Sequence, residues 1–266
     1  MNFDFHTHGK LSKKMAFSLP YFAEMIGEAK KNGLQGLALT EHFNTLRFED
    51  MYDALDRHYT YADGYYDVDG VRVFPGMEVD IAETGHILLI GEREHIREIR
   101  ALLEPYTMEG GFVPVSRLLD WSEPYGMLRI GAHPFRDSTP LHHISAELLA
   151  RLDAFDLNAK DLFQQGVEPY SLRLRRFAAE HRKPIVAGSD THQHLQYGSV
   201  WNRLAADCRT VEDLKRCIAE QQYEAVVSDA LHTKVKSAKI VKKLLKLQGF
   251  EEAACALESV VHLDEE

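Results

Sequence analysis

The sequence predicts an α/β fold: one domain of βα units around parallel strands, closed as a barrel. Three observations carry this expectation. Short apolar runs alternate with stretches of helical periodicity along most of the chain. The 266 residues, 45% of them apolar, suffice for one sizeable core, and an α/β barrel of this length is usually a single domain. No internal repeat, low-complexity tract or linker-like segment divides the chain.

Taken in order, Phe3–Phe5 reads as the first strand. A helix follows over Ser18–Asn32, with Pro20 near its start and Gly33 where a C-cap glycine belongs. "GLALT" (36–40) is a strand that runs directly into Glu41 and His42. "VRVFPGMEVD" (71–80) and "HILLIG" (86–91) are strands, followed by a helix over 94–104. "LRIGAHPF" (128–135) is strand then loop, "AFDLNA" (154–159) another strand, and 167–182 an arginine-rich helix. "PIVAGSDTH" (184–192) is a strand ending in polar residues. Thr210 and Asp213 have the spacing of a capping box that opens a helix over 211–221, and "EAVVS" (224–228) is the last strand. In "KVKSAKIVKKLLKLQG" the lysines at 234, 236, 239, 242, 243 and 246 alternate with Ile240, Val241, Leu244 and Leu245. This reads as an amphipathic helix with a solvated lysine face, in preference to an anion- or partner-binding helix.

Composition excludes several classes. A formal charge of −10 argues against general adhesion to nucleic acid or to an anionic membrane, while leaving room for a local basic pocket. No window approaches the ~18 unbroken apolar residues of a membrane span. No secretory signal pattern follows Met1, so the expected location is the cytoplasm. Cys208, Cys217 and Cys255 are scattered and lack a CxxC pair, as expected of reduced structural thiols. The anomaly is the 14 histidines.

Many of these histidines fall at strand ends, together with acids. The first strand offers His6 and His8, the second Glu41 and His42, the third Glu78, and the next begins at His86. "GAHPFR" adds His133, and "GSDTH" adds Asp190 and His192. In a barrel of βα units the C-terminal strand ends converge on one face, where the chemistry sits. Side chains alternate along a strand, so His6 and His8 point the same way, as do Asp190 and His192. Imidazole and carboxylate without cysteine suit Zn, Mn or Fe rather than a cysteine-type zinc site or an all-oxygen Ca or Mg cage. The ligands outnumber the needs of one ion, so two or three clustered divalent ions are expected. Such clusters stabilise both the attacking and the leaving oxygens in phosphoryl transfer.

"FHTH", "TEH", "GMEVD…GH", "AHPFR" and "GSDTH", in this order over about residues 3–200, resemble the motifs of the PHP (polymerase and histidinol phosphatase) superfamily. The "AHPFR" and "AFDLN" segments look most like its stand-alone metal-dependent phosphoesterases. The resemblance implies a distorted (β/α)7, TIM-like barrel over residues 1–230, with 231–266 as a helical extension packed on the same domain. It also implies hydrolysis of phosphate esters by a metal-bound hydroxide, without a phospho-enzyme. His6, His8 and Asp190 would hold a first metal, bridged by Glu78 to a second that His86 and His133 complete. His42 and His192 would hold a third. Where many relatives supply another histidine to that third site, this chain has Lys13 and Lys14.

Lys14 is therefore a candidate to neutralise substrate phosphate. Arg136, just after His133, is the candidate phosphate clamp, because guanidinium pairs bidentately with phosphate oxygens. Glu41 is expected to support the ligands, and His194 to contact substrate or do nothing. His58, His95, His142, His143, His181, His232 and His262 read as structural or surface residues. The working mechanism makes Glu78 and Asp190 metal-site carboxylates, with Arg136 and Lys14 sharing charge on the equatorial oxygens.

Three rivals stand beside this reading. An amidohydrolase would need a bridging carboxylated lysine, for which Lys160 is the near candidate. A metal-stabilised scaffold would bind ions without turnover. An exonuclease would show a basic groove with stacking aromatics. Tyr59, Tyr61, Tyr65 and Tyr66 are surrounded by Asp53, Asp56, Asp63, Asp67 and Asp69, and read instead as an insertion shielding the pocket. The expected partner is thus a small phosphorylated metabolite or nucleotide, with nucleic acid less favoured and no membrane.

Overall fold

The structure, a computed structural model, describes residues 1–248. Cys255, His262 and the end of the expected extension lie outside the described residues. The strands are β1 (Asn2–Thr7), β2 (Gly36–Leu39), β3 (Thr60–Ala62), β4 (Tyr65–Val68), β5 (Val71–Asp80), β6 (His86–Ile90), β7 (Leu128–Ala132), β8 (Ala154–Asn158), β9 (Ile185–Gly188), β10 (Val200–Leu204) and β11 (Tyr223–Val227). The helices are α1 (Leu19–Lys31), α2 (Phe48–His58), α3 (Arg93–Leu102), α4 (Val115–Ser122), α5 (Ala146–Leu149), α6 (Ala159–Gln165), α7 (Val167–Glu180), α8 (Val211–Ala219) and α9 (Leu231–Gln248).

Seven strands, in the order β1-β2-β5-β6-β7-β8-β9, form the staves of a distorted barrel. It closes where Thr7 bridges Thr191: Asp190 N–H donates to the His6 carbonyl at 2.7 Å, and His8 N–H to the Thr191 carbonyl at 3.0 Å. β10 and β11 extend the sheet beyond β1 in antiparallel fashion. Phe3, Phe5, Ala38, Phe74, Leu88 and Ile130 fill the interior, and Leu214, Cys217 and Ile218 of α8 pack against the same cluster. The larger core lies between the staves and the outer helices.

One stave departs from the expected parallel arrangement. β6 pairs antiparallel with both β5 and β7. The turn between β5 and β6 is far too short for a parallel crossover, which needs a dozen or more residues, so the chain must fold straight back, through Thr84 and Gly85 at φ +69° and +125°. Because β6 runs backwards, its first residue, His86, lies opposite Asp80 and Ala132, level with the C-terminal ends of its neighbours.

β1 carries a second irregularity. Phe3 and Phe5 both join the interior, so strict alternation would send Thr7 inward and turn His6 away. The register against β2 shifts between Asp4 and Thr7. Such a bulge re-aims side chains, and His6 and His8 point to the same interior space as Glu78 and Asp190. Buried Asp4 anchors the shift, its Oδ1 accepting the N–H groups of His6 at 3.1 Å and Ser189 at 3.0 Å.

Other local expectations hold. Ser18 caps α1, with Pro20 in its first turn and Gly33 at φ +79° beyond its end. Thr210 and Asp213 form the capping box of α8. The tyrosine run does not shield the pocket. It forms the β3–β4 hairpin, where Tyr66 pairs with Val73, about 17 Å along β5 from Glu78 at ~3.3 Å per residue. Tyr66 is fully buried there, its hydroxyl donating to Asp56 at 2.7 Å. On α9, Leu231, Val235, Ala238 and Leu245 are buried, whereas Ile240 and Leu244, expected inside, are exposed.

Candidate metal centre

Three groups of side chains at the C-terminal face have ligand atoms close enough to hold an ion: His6, His8 and Asp190; Glu78, His86 and His133; and His8, His42 and His192. Glu78 joins them. Its Oε1 lies 2.5 Å from His86 Nδ1 and 3.1 Å from His133 Nε2. Its Oε2 lies 2.9 Å from His42 Nδ1, 3.5 Å from His8 Nε2 and 3.6 Å from His6 Nε2. His8 Nε2 also stands 3.2 Å from Asp190 Oδ1. All eight side chains are buried or nearly so.

The donors fit metal ions. His6 Nε2, both His8 ring nitrogens, His42 Nδ1, His86 Nε2 and Glu78 Oε2 are buried without a hydrogen bond of acceptable geometry. Buried polar atoms left unsatisfied are costly unless something else meets them. Here His6 Nε2, His8 Nε2 and His42 Nδ1 converge on Glu78 Oε2, an imidazole-plus-carboxylate set of the kind that Zn, Mn and Fe take, while His8 Nδ1 faces Glu41 and His86 Nε2 faces Asp80.

A shell of supporting contacts fixes these rings. His6 Nδ1 donates to Asp156 Oδ2 at 2.9 Å, which leaves Nε2 free to face the cluster. Glu41 lies behind His8, its Oε2 accepting the N–H groups of Gly9 and Lys10 and its Oε1 that of His42. Asp190 receives Lys160 Nζ at 2.7 Å and Arg136 Nη2 at 2.9 Å. His133 and Asp190 both adopt positive φ, +31° and +54°, a strained backbone of the type that persists where surroundings over-determine it.

Electrostatics divide the histidines. Burial opposes charge on His6, but Asp190, Glu78 and Asp156 outweigh it and hold its pKa well above the usual value. Burial likewise opposes charge on His86, yet Glu78 and Asp80 lift it to about 9. His42 is pushed down to about 4 by burial, against the pull of Glu78. Burial also holds His133 and His192 well below the ordinary imidazole range. For Glu78 burial favours the neutral form, but His86, His42 and His6 win and keep it ionised.

Two expected substrate-binding residues stand elsewhere. Lys14 is exposed, whereas its neighbour Lys13 reaches the site, with Nζ 2.9 Å from Asp80 Oδ2. The reason is the loop backbone: the Lys13 carbonyl accepts Leu46 N–H and Thr45 Oγ1, which turns Lys13 rather than Lys14 inward. Arg136 is not poised as an open clamp. Its Nε and Nη2 are committed to Asp161, Asn158 and Asp190 at 2.7–3.1 Å. His194 belongs to none of the three groups; the strand ends at Gly188, and the His194 ring meets the Gln193 amide instead. Asp156, Asn158, Asp161 and Asp80 were missed. "AFDLNAKD" carried the signal for three of them, since residues 156 and 158 alternate inward along a recognised strand.

Two cavities adjoin the cluster. One of about 550 Å³ is lined by Arg136, Ser138, Lys160, Asp161 and Gln165, and the other, about 660 Å³, by Lys13, Asn44, Asp80, His86, Phe112 and Thr139. A larger one of about 1120 Å³ lies among Arg175, Arg182, Lys183, Lys215 and Glu212, away from every candidate ligand.

Comparison with known proteins agrees with this architecture. The profile of the PHP domain matches residues 4–152, and that of the PHP-associated region matches residues 172–223. No curated protein matches the sequence. The fold is similar to that of PsfC from Pseudomonas syringae PB-5123, with 22% identity and a TM-score of 0.75 over 92% of this chain and 98% of PsfC. It is also similar to the lesion-specific endonuclease PfuEndoQ from Pyrococcus furiosus, with 20% identity and a TM-score of 0.62 over 84% of this chain and 57% of that one. Endonuclease Q in complex with a 27-mer duplex bearing an abasic lesion at the active site matches at 21% identity and a TM-score of 0.61, over 82% of this chain and 56% of that one. The chain thus spans little more than half the length of these endonucleases. With a profile match over more than half its residues, and with clusters able to hold metals on the barrel face, the chain belongs to the PHP domain family.

Proposed function

We propose that this protein is a phosphoesterase that acts on a small phosphorylated metabolite or nucleotide with two or three bound Mn, Fe or Zn ions. The observation that carries the reading is the double contact of Glu78: one carboxylate oxygen faces His86 and His133, the other His42, His8 and His6. A carboxylate shared in this way is what a bridge between adjacent ions requires. Ions held there would supply a water of lowered pKa and positive charge for the phosphoryl oxygens. His6, His8 and Asp190 would hold one ion, Glu78, His86 and His133 a second, and His42 and His192 with His8 a third.

The other side chains act on orientation and charge. Asp156 holds the His6 ring in the tautomer that presents Nε2. Arg136 and Lys160 keep Asp190 ionised, since burial disfavours its charge and these two cations outweigh burial. Lys13, neutralised in part by Asp80, is the cation at the 660 Å³ cavity. The amidohydrolase alternative has less support, because the carboxylate with contacts to both ligand sets is Glu78 and Lys160 is paired with Asp190.

The test is hydrolysis of phosphomonoesters, nucleotides and short oligonucleotides, followed as released phosphate and as released nucleotides, with protein loaded with Mn, Fe or Zn and Glu78→Ala as the blank. Release from small monoesters that the variant lacks is expected. Release only from oligonucleotide ends would move the reading to a nuclease, and no release at all from metal-replete protein would overturn it.

A further inference from the structure

The sequence assigns the lysines of α9 to solvent, and two of them do not go there: Lys234, whose Nζ donates to Asn32 Oδ1 at 2.8 Å, and Lys242. The seam buried on α9 runs through Leu231, Val235, Ala238 and Leu245. Its missing step, four residues after Ala238 and three before Leu245, is Lys242, so this side chain leaves the helix on the face packed against the barrel. α9 lies against residues 194–196, just past His192, and against α6, near whose start Lys160 stands. Phe163 of α6 fixes this seat, with the His232 ring 5.2 Å away and Lys239 Nζ 5.0 Å from its centroid.

Lys242 follows Lys239 by one turn and comes within electrostatic reach of Lys160, Asp190, Glu41 and His192. It is half-buried and has neither a hydrogen bond nor an ion pair with any described residue. Burial, and then its neighbours Lys160 and Lys246, pull it down to about 7. A half-buried lysine without a paired partner among the described residues, with Lys160 and the candidate ligands Asp190 and His192 within electrostatic reach, is an anion position.

We propose that Lys242 is a specificity-determining residue, which takes a non-bridging oxygen of a dianionic terminal phosphate and thereby selects phosphomonoesters over diesters. This rests on the phosphoesterase reading above. A monoester carries about −1.5 to −2 at neutral pH, and a diester about one charge less. The oxygen that holds the difference is the one a diester replaces with its second substituent. An approaching dianion also supplies the counter-charge that Lys242 lacks. Lys160, held on Asp190 at 2.7 Å, adds positive potential from the other side.

The experiment compares wild type, Lys242→Met and Lys242→Arg, all metal-loaded, on p-nitrophenyl phosphate and bis-p-nitrophenyl phosphate, with orthophosphate as inhibitor. Lys242→Met should raise the monoester KM and the orthophosphate Ki by roughly tenfold or more, while diester kcat/KM changes less than about twofold. Lys242→Arg should recover most of the loss. The Tm of Lys242→Met should not fall, because the substitution removes an unpaired charge from a half-buried seam. Parallel loss on both esters, or a wild type that prefers the diester, would overturn the proposal. If wild type hydrolyses neither ester, the phosphoesterase reading fails instead. Calorimetric titration with orthophosphate then decides this one: binding lost in Lys242→Met upholds it, and equal binding overturns it.

Discussion

Gly188 lies directly against His6. A Cβ at position 188 would fall 2.4 Å from His6 Cβ and 2.5 Å from Asp156 Oδ1. These two residues are joined by the 2.9 Å hydrogen bond that orients the His6 ring. β9 can therefore approach β1 and β8 only without a side chain at that point. Gly188→Ala should push His6 and Asp156 apart, at a cost of about 1–3 kcal/mol, a fall in Tm of roughly 2–10 °C. The first ion should bind more weakly as well, by about 10–100-fold, as when a ligand's orienting partner is disturbed. Thermal melting and metal titration check both; unchanged Tm and affinity would show that the strands give way easily.

Arg136 and Asp190 are tied together within a wider group that includes fully buried Asp161, 2.7 Å from the same guanidinium nitrogen. Arg136→Met should strand buried Asp161, leave Asp190 with Lys160 as its cation, and destabilise the protein by about 3–5 kcal/mol. A residue that merely clamped substrate would raise KM and leave stability alone. Denaturant unfolding beside steady-state kinetics separates these outcomes, and a rise in KM at wild-type stability would restore the clamp.

Metal removal should depend on pH. In the metal-free site His86 is lifted from 6.5 to about 9. Its contribution to stability is thus complete below about pH 6.5 and is lost as pH rises through about 9. His6, also raised, acts in the same direction, whereas His42, His133 and His192, all lowered, bear on the range below 6.5. Ions compete with these protons. Ions at a hundredfold excess over Kd add about 2.7 kcal/mol, or roughly 5–10 °C in Tm. The Tm drop caused by a chelator should therefore be larger at pH 9 than at pH 6.5. An equal drop at both would show that His86 does not hold its proton.

The barrel and the metal-binding face were legible in the sequence because strand-end histidines sit next to strong apolar runs. "GSDTH" and "FHTH" name their residues whatever the exact register. What escaped was set by tertiary contact. The helical pattern of residues 48–58 and the short strand 200–204 are local signals that acquire meaning only when packed. Lys13 and Lys14 are indistinguishable in composition, and the backbone bonds from Leu46 and Thr45 decide which one turns inward. Arg136 follows a candidate ligand histidine and carries the right charge for phosphate, but the acid that claims it, Asp161, lies on another element.

The reversed direction of β6 also bears on the order in which the site can assemble. Glu78, Asp80 and His86 belong to one tight hairpin, and β7 joins it as the next antiparallel neighbour in the sheet, so this half of the centre depends on contacts close in sequence. The other half needs His6 to meet Asp190, which belongs to the far end of the barrel's sequence. Local pairing closes small loops and forms early, whereas distant pairing bears the larger entropy of loop closure. The Glu78 hairpin is thus the natural nucleus, and the meeting of the two chain regions that carry His6 and Asp190 is the late step that completes both barrel and centre.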